Sequence, residues 1–536
     1  MKRIEELTGA LEVPTEAWEP VGRYVAKIDP AHLAANGPPR RARIVLVTGM
    51  TPTSAGVGKT VSTLGLVSGM TRLGLRAIAC LRQPSLGPVF GIKGGGAGGG
   101  HSTVEPRDLV NLGLTGDLDA VTNAHNLLAS LLDNALHHGN DLGIDPASIA
   151  WPRAMDLEDR SLREITLGLG AGNGPTRPGG FVITPASEVT AILGLAQGYG
   201  DLRKRLGNIV VARDRSGRPV RARDLRAEGA MSVLLRRALL PNLLQTQDGA
   251  PVLVHGGPFG NLSYGTTTLA SLHVAQRLAD VVLVEAGFGS DLGAEKFVDL
   301  VAPLGDVAPV TSVLVTSLPT IRAHAGSPSG HQELGPGLEN LTRHVEILRR
   351  AGLETVVAVN RFPGDTPAEL QQLHDTVASL GVLSGESTAY ATGGEGSVQL
   401  AQTVWERAKG GHPSQPVYDP KAPPLTKMQT LATEVYGAEG VDLDAAAQQQ
   451  LSQFAAEGFG EGPICSAKTQ LSLSDDPHRL GRPRGFRVRV RGWIPQGGAG
   501  YLVALLGDIR TMPGLPREPR AFQMSLDETG RAIGVE

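Results

Sequence analysis

The stretch Arg43-Ile-Val-Leu-Val-Thr-Gly-Met-Thr-Pro-Thr-Ser-Ala-Gly-Val-Gly-Lys-Thr60 decides the fold of this chain. Its first five residues, 43–47, form a short aliphatic run that is typical of a buried strand. A glycine-rich loop follows and ends in Gly58-Lys-Thr60, and residues 61–73 then have a helical pattern. Phosphate-binding loops have this same order of a strand, a glycine-rich loop, a Lys-Thr pair and a helix.

The chemistry of this loop follows from its residue types. Glycines let backbone N–H groups converge on phosphate oxygens, and the helix N-terminus adds partial positive charge. Lys59 can reach the outer phosphates of a nucleotide, and the Thr60 hydroxyl can bind Mg²⁺. Thr53 stands where the first glycine of such a loop usually lies, so the loop is a variant. The alternative is an ordinary turn between a strand and a helix.

Five further aliphatic runs indicate that the first strand belongs to a sheet. They lie at residues 76–80, 252–254, 281–284, 312–315 and 356–359. Continuous runs of this kind suit strands that are buried on both faces of a parallel sheet, and helical patterns separate them. The sequence therefore predicts an α/β fold with a phosphate-loop NTPase-like, doubly wound, mostly parallel sheet. Ligands of such folds bind at the carboxyl ends of the strands.

The order of the runs predicts three domains. Residues 1–85 together with 231–345 form a nucleotide-binding phosphate-loop domain. Residues 86–230 are an insertion between the second and third strands, and residues 346–536 form a C-terminal α/β domain. Residues 1–42 are expected to be helical and peripheral.

Polar and glycine-rich segments follow the other strands. Arg82 comes after the second run and suits a phosphoryl group or a carboxylate, because its fork matches two oxygens. Alone, such an arginine would more often form a surface ion pair. Residues 285–296 contain a second glycine-rich turn, which predicts either another anion-binding helix N-terminus or tight packing of helix on strand. Residues 94–99 match G-x-G-x-x-G, but no clear strand precedes them, so we do not interpret them as a dinucleotide site.

Composition excludes several classes of protein. A net charge of −3 gives no electrostatic reason to expect a nucleic-acid partner. No apolar run reaches the roughly 18 residues that a membrane-spanning helix needs. Cys80 and Cys465, the two cysteines, lie in apolar segments and indicate a reducing compartment. We therefore expect a cytoplasmic protein without a membrane partner. The alternating residues 486–491 predict a strand with one solvated basic face.

Twelve motifs besides the phosphate loop carry a resemblance to a known family. They are Gly22-Arg-Tyr-Val-Ala-Lys-Ile-Asp29, Leu81-Arg-Gln-Pro-Ser-Leu-Gly-Pro-Val-Phe-Gly-Ile-Lys-Gly94, Leu114-Thr-Gly-Asp117, Gln245-Thr246, His255-Gly-Gly-Pro-Phe259, Glu285-Ala-Gly-Phe-Gly289, Asp291-Leu-Gly-Ala-Glu-Lys-Phe297, Asn360-Arg-Phe-Pro363, Pro463-Ile-Cys465, Ala467-Lys-Thr-Gln470, Ser474-Asp-Asp-Pro477 and Thr511-Met-Pro-Gly-Leu-Pro516. Together they resemble the formate–tetrahydrofolate ligases over nearly the whole chain.

The resemblance implies an enzyme of one-carbon metabolism. ATP phosphorylates formate to formyl phosphate, and N10 of tetrahydrofolate then attacks the formyl carbon to give 10-formyltetrahydrofolate, ADP and phosphate. Mg²⁺ would accompany ATP, and a monovalent cation (K⁺ or NH₄⁺) would assist. The family is typically a homotetramer.

The resemblance also implies roles for particular residues. ATP would be bound by Thr53, Ser54, Ala55, Gly56, Val57, Gly58, Lys59 and Thr60, with Thr60 also on the magnesium. Catalysis would involve Lys59, Arg82 and Gln83. The inserted domain would contribute to the formyl phosphate site, whose residues would be Lys59, Arg82, His101, Gly287, Gly289 and Leu292. The pterin of the folate would stack between Phe362 and Tyr390 in the C-terminal domain, where Tyr390 replaces the usual tryptophan.

The sequence departs from the family pattern at five further positions. Val57 and Gln83 stand where the family usually has glutamate, His101 where it has tyrosine, Tyr264 where it has histidine, and Thr392 where it has lysine. These differences leave two alternatives to a fully active ligase. One is a catalytically weak paralogue that binds nucleotide or folate, and the other is a related ATP-dependent ligase with an altered substrate.

Overall fold

The structure is a computed structural model that describes residues 1–53, 56–92, 95–326 and 334–535. Of the residues predicted to bind ATP, Ser54 and Ala55 lie outside the described residues. Within the described ranges, no helix is both long and apolar enough to span a membrane.

Strands occur along the whole chain. In chain order they are β1 (Trp18–Pro20), β2 (Ala26–Ile28), β3 (Arg43–Gly49), β4 (Ala77–Leu81), β5 (Gly98–Gly99), β6 (Ser102–Glu105), β7 (Arg153–Met155), β8 (Ile165–Leu167), β9 (Arg177–Gly179), β10 (Phe181–Ile183), β11 (Val210–Arg213), β12 (Pro219–Arg221), β13 (Asn242–Thr246), β14 (Pro251–Val254), β15 (Val281–Gly289), β16 (Thr311–Thr316), β17 (Glu354–Asn360), β18 (Leu383–Ser387), β19 (Val441–Leu443), β20 (Ile464–Ala467), β21 (Val488–Val490), β22 (Gly492–Gln496), β23 (Tyr501–Leu505), β24 (Ser525–Leu526) and β25 (Ala532–Ile533).

Helices alternate with these strands. The α-helices are α1 (Ile4–Ala10), α2 (Pro30–Asn36), α3 (Lys59–Arg72), α4 (Leu86–Phe90), α5 (Arg107–Asn111), α6 (Asp117–His137), α7 (Glu188–Leu195), α8 (Tyr199–Gly207), α9 (Glu228–Leu235), α10 (Leu269–Leu278), α11 (Ala302–Gly305), α12 (Leu318–His324), α13 (Gly335–Arg350), α14 (Pro367–Ser379), α15 (Ala389–Thr392), α16 (Val398–Gly410), α17 (Pro424–Thr430) and α18 (Ala445–Ala456). Among the described residues, three segments are π-helical: Ser290–Ala294, Phe297–Val301 and Leu431–Tyr436.

A 12-stranded sheet forms the centre of the molecule. Its main path is β1-β2-β13-β14-β4-β15-β3-β16-β17-β18, and β6 joins it beside β13. All pairs from β14 to β18 are parallel, whereas the pairs at the β1 end are antiparallel. The six aliphatic runs are all strands of this sheet, so the predicted α/β fold with a mostly parallel sheet is confirmed.

The burial of the central strands explains their aliphatic composition. All five residues of β4 and all six of β16 are buried, as are six of the seven residues of β3. Strands that are covered on both faces have no solvent side on which polar residues would be tolerated. Helices α3, α10, α13 and α16 supply part of that cover.

The N-terminal segment differs from the prediction. Besides α1 and α2 it contributes β1 and β2, and β2 pairs with β13 of the central sheet. Lys27 interrupts the apolar pattern of β2, but its ammonium group is buried and bonded to Asp117 at 2.6 Å. This ion pair lets a lysine occupy a buried strand. Residues 1–42 thus contribute β1 and β2 to the central sheet and are not a purely helical periphery.

The central sheet continues beyond residue 346. Strands β17 and β18 extend it in parallel next to β16. A separate three-stranded sheet, β20-β23-β22, lies further along the chain. Within residues 486–491, Val488 and Val490 are buried and Arg489 is exposed, which confirms the predicted strand with a solvated basic face. The limits of the three predicted domains stay a prediction.

Candidate active site

Three strand ends meet at the carboxyl edge of the central sheet. β15 lies between β3 and β4, so Glu285 near the end of β15 is flanked by the phosphate loop on one side and Arg82 on the other. The Thr60 hydroxyl donates a hydrogen bond to Glu285 Oε2 at 2.7 Å. Burial lowers the pKa of Arg82, and the negative charge of Glu285 opposes that shift. The structure therefore brings Thr60 and Arg82 together around a carboxylate for which the sequence prediction gave no role.

Glycines shape the loop between β3 and α3. Gly56 and Gly58 have φ of +72° and +77°, a left-handed backbone that glycine adopts without a steric cost. A Cβ built on Gly49, where β3 ends, would lie 3.5 Å from Lys59 Cδ. The aliphatic part of Lys59 therefore folds back over the end of the strand. This is the arrangement expected if the lysine serves the strand's carboxyl edge.

Two histidines hold the start of the loop. The Thr51 backbone N–H donates to His344 Nε2 at 2.8 Å, and His344 Nδ1 bonds the Ser290 hydroxyl at 2.7 Å. Since Nε2 accepts, Nδ1 carries the proton and the ring is neutral. Burial lowers the pKa of His344 to about 3, consistent with that state. His324 Nε2 lies 2.9 Å from the Thr51 carbonyl oxygen and fixes the other side of this residue.

Gln83 is buried beside Arg82. Its backbone N–H donates to Gly256 O after β14, and its Nε2 donates to Gly113 O at 3.1 Å. Its Oε1 is buried and accepts no hydrogen bond from the described residues. Gln83 thus ties three segments together through its backbone and side chain, while one side-chain acceptor has no partner among the described residues.

The second glycine-rich segment is a bulge in β15. The pairing of β15 with β3 shifts between Glu285 and Gly289, and Phe288 has φ +59°. A Cβ on Gly287 would lie 2.9 Å from the Gly265 carbonyl oxygen and 3.1 Å from Arg82 Nη2, so glycine lets this backbone approach the guanidinium closely. Leu292 follows in a π-helical segment with its side chain fully buried. The bulge therefore packs against Arg82.

His101 and Tyr390 lie together next to α3. The His101 backbone N–H donates to the Tyr390 carbonyl at 2.9 Å. A Cβ on Gly99 would lie 3.2 Å from the Tyr390 ring and 3.9 Å from Val61 Cγ2 in the first turn of α3. The Tyr390 side chain is 63% exposed. This ring thus covers the hairpin β5–β6 near the phosphate loop and keeps an open surface.

Phe362 is connected to the phosphate loop through its own chain segment. It follows Asn360, whose side chain bonds the loop, and its backbone N–H donates to Asp365 at 2.8 Å. The Phe362 ring is 43% exposed. Aromatic residues make up only 4% of the chain, and the exposed face of Phe362 is available to stack on a ligand.

Two of the family departures are core residues. Val57 and Tyr264 are both buried, and the Tyr264 hydroxyl donates to Ala191 O at 3.2 Å. A Cβ on Gly194 would overlap that hydroxyl, so α7 is shaped around the tyrosine. The side chains of these two residues therefore pack inside the protein. Thr392, in contrast, is exposed.

A buried ion pair fastens the C-terminal part to this region. Lys468 Nζ lies 2.7 Å from Asp291 Oδ2, and both side chains are almost completely buried. Burial lowers the pKa of Lys468, and Asp291 opposes that shift. Asp291 belongs to the π-helical segment directly after the β15 bulge. Sequence reasoning missed this pair because nothing in the local pattern of either motif points to the other.

Known proteins resemble this chain over its full length. The family model described as formate–tetrahydrofolate ligase matches residues 1–536. The formate–tetrahydrofolate ligase of Symbiobacterium thermophilum is 45% identical over 545 residues, with 99% of this chain and 98% of the relative covered. The enzymes of the same name from Roseiflexus sp. and Methylobacterium sp. are each 44% identical, with 100% of this chain and 98% of each relative covered. A family model over residues 1–536 and identity at this level over nearly the whole of each relative show that the chain belongs to the formate–tetrahydrofolate ligase family.

Proposed function

We propose that the protein ligates formate to tetrahydrofolate at the expense of ATP, giving 10-formyltetrahydrofolate, ADP and phosphate. The observation that carries the proposal is the meeting of Thr60, Glu285 and Arg82 at the carboxyl edge of the sheet. A phosphate loop and an arginine side by side suit transfer of a phosphoryl group to a carboxylate. Membership of the ligase family supports the same reaction.

The first step forms formyl phosphate. A formate oxygen attacks the γ-phosphorus, the bond to the β-phosphate bridging oxygen breaks, and ADP leaves. The loop (Thr53 to Thr60) is proposed to hold the ATP phosphates, with Lys59 and Arg82 neutralising the charge that moves during transfer. His101, the Gly287–Gly289 bulge and Leu292 complete the proposed formyl phosphate site, in which water must be excluded because an acyl phosphate hydrolyses readily.

Oxygen donors suitable for Mg²⁺ are present next to the loop. The Thr60 hydroxyl and the Glu285 carboxylate are hydrogen-bonded to each other, and such oxygens are the ligands that Mg²⁺ prefers. Thr60 would hold the ion that accompanies ATP, with Glu285 behind it, and the ion would neutralise phosphate charge. A monovalent cation, K⁺ or NH₄⁺, is proposed from the family resemblance.

The second step transfers the formyl group. N10 of tetrahydrofolate attacks the formyl carbon, the carbon–oxygen bond to phosphate breaks, and the departing phosphate takes up the proton that N10 loses. Phe362 and Tyr390 are proposed to stack on the pterin, since both rings have open surfaces. The unused Oε1 of Gln83 suits a hydrogen bond from a donor such as the N10–H group. Glutamine cannot take up the proton, so its proposed role is to orient and not to act as a base.

The decisive experiment is a direct assay. Purified protein is supplied with Mg·ATP, formate, K⁺ and tetrahydrofolate, and 10-formyltetrahydrofolate is followed after acid conversion to the methenyl form. We expect product that depends on every substrate. Absence of product from a protein that still binds ATP would favour the weak paralogue. Product with another carboxylate but not formate would favour the altered ligase.

The family resemblance also supports a homotetramer. Exposed aliphatic residues such as Val233, 75% exposed, offer contact surface. Light scattering after size exclusion would test this, with a mass about four times the 56.0 kDa of one chain expected. A monomer mass would contradict it.

A further inference from the structure

Asn360 ends β17 and reaches the phosphate loop from a neighbouring strand. Its Nδ2 donates to the Val57 carbonyl at 2.8 Å and to the Gly58 carbonyl at 3.3 Å. The side chain is only 7% exposed. One amide group is therefore bonded to two consecutive peptide carbonyls of the loop, in a place sheltered from water.

The orientation of the Asn360 amide is determined by its partners. The Ser62 hydroxyl in the first turn of α3 donates to Asn360 Oδ1 at 2.9 Å. If the amide were reversed, Oδ1 would face two carbonyl oxygens that can donate nothing. Nδ2 must therefore be the atom that faces the loop.

Glycine at position 58 is required by this contact. A Cβ there would lie 2.5 Å from Asn360 Nδ2, closer than real Cβ atoms approach a neighbour. The positive φ of Gly58 is a second reason for the same residue. The loop sequence and Asn360 are thus matched to each other.

The two hydrogen bonds have a consequence for the loop's N–H groups. In a trans peptide the carbonyl and the following N–H point in opposite directions. Holding the Val57 and Gly58 carbonyls towards Asn360 therefore turns the N–H groups of Gly58 and Lys59 to the opposite side. Those are the backbone donors at the N-terminus of α3, where anions bind.

We propose that Asn360 is a positioning residue of the phosphate loop, which fixes two peptides so that their N–H groups face the nucleotide phosphates. This inference rests on the proposed binding of ATP by the loop. Asn360 would not touch the nucleotide itself. It would set the affinity for ATP by holding the donors in place before the nucleotide arrives.

Equilibrium binding of Mg·ATP by titration calorimetry, without formate or folate, tests the inference. We expect Asn360→Ala to raise the Kd for ATP at least tenfold, because the Val57 peptide loses its bond to the amide and the Gly58 peptide is left with its bonds to Ser62. A merely structural role would reduce the folded fraction and leave the Kd of the folded molecules unchanged. The KM for tetrahydrofolate should change far less than the KM for ATP.

Asn360→Asp supplies a signature that a structural role would not produce. At pH 8 an ionised aspartate would face two carbonyl oxygens, whereas at pH 6 a protonated one could donate to one of them, and burial favours the protonated form. We expect the ratio of the Kd of Asn360→Asp to that of Asn360→Ala to fall at least fivefold from pH 8 to pH 6. Protonation of ATP itself affects both variants equally and cancels in the ratio.

The outcomes separate this inference from the proposed function. A native Kd for Asn360→Ala, or a ratio that does not change with pH, would overturn the positioning role. If Asn360→Ala does not fold, the pH dependence of Asn360→Asp relative to the native protein decides instead. Failure of the native protein to bind ATP, or native binding by Lys59→Ala, would count against the proposed function itself.

Discussion

Lys59 is the residue on which the proposed phosphoryl transfer depends most directly. Its stem lies over the end of β3, next to the loop that would hold the phosphates. We expect Lys59→Ala to lower kcat for formyltetrahydrofolate formation about 100-fold or more, as loss of one charge-stabilising donor does in other enzymes. Steady-state kinetics measure this, with Lys421→Ala as the control because Lys421 is an exposed lysine far along the chain. Equal losses in both variants would refute the role of Lys59.

His344 gives a second prediction at the residue scale, with a defined pH dependence. His344→Leu leaves the buried Thr51 N–H without an acceptor, which should destabilise the protein by about 1–3 kcal/mol at pH 7 and raise the KM for ATP. The folded pKa of about 3 lies below the usual value of 6.5. Below pH 6.5 the histidine is therefore protonated in the unfolded chain but stays neutral in the native protein. Because the unfolded state then binds the extra proton, the contribution of His344 to the free energy of unfolding declines as the pH falls.

The destabilisation by His344→Leu should accordingly be larger at pH 7 than at pH 5. Thermal unfolding of native and variant protein at both values measures the difference. His412→Leu, at an exposed position, serves as the control. If the difference in Tm between the native protein and His344→Leu is larger at pH 5 than at pH 7, the His344 ring is not neutral in the native protein.

At the scale of elements, the ion pair between Asp291 and Lys468 joins a π-helical segment to the end of β20. We expect Lys468→Met to destabilise the protein by about 3–5 kcal/mol, because Asp291 would be left as a buried charge without a partner. The double variant with Asp291→Asn should recover part of that loss. Denaturant unfolding measures all three proteins.

Arg489→Met is the matched control for this pair. Arg489 forms an ion pair with Asp444 on the surface, where its side chain is 64% exposed. Exposed pairs contribute about 0–1 kcal/mol, so this change should be small. Similar losses from both substitutions would mean that burial does not govern the strength of the Lys468 contact.

Strands and loops were predictable from sequence to different degrees. The six central strands were found because burial on both faces leaves an uninterrupted aliphatic run. The short strand β2 was missed because Lys27 is hidden by a distant partner. Glu285 carried a usable signal, an acid at the carboxyl end of a strand, but its bond to Thr60 spans 225 positions of sequence. Asn360 and Val57 are 303 positions apart, and no local pattern encodes such a contact.

For the whole molecule, Glu188 joins the insertion at α7 to the turn between β22 and β23. Its Oε1 accepts from the backbone N–H groups of Gly498 at 2.7 Å and Ala499 at 3.2 Å. Burial raises the pKa of Glu188 to about 7. The native carboxyl thus holds a proton that the unfolded chain releases above pH 4.5, so its contribution to stability is lost as the pH rises to about 7.

Glu188→Gln should remove this loss of stability at higher pH, because the amide oxygen still accepts the two backbone hydrogen bonds and an amide cannot become charged. The free energy of unfolding of the variant minus that of the native protein should increase by on the order of 3 kcal/mol when the pH is raised from 5 to 8. Thermal unfolding across this range measures the gain, with the exposed Glu528→Gln as the control. A constant difference in stability would show that Glu188 is ionised in the native protein throughout.

The burial of Lys468 against Asp291 also bears on how the protein is made. A ribosome synthesises Asp291 well before Lys468, so for part of synthesis the buried carboxylate after β15 lacks its counter-charge. We expect this part of the core to close only after the C-terminal segment has emerged. We expect stalled chains that end before Lys468 to be cut readily by protease near Asp291, and released full-length chains to resist. We therefore expect the proposed active site to be completed only after Lys468 has left the ribosome.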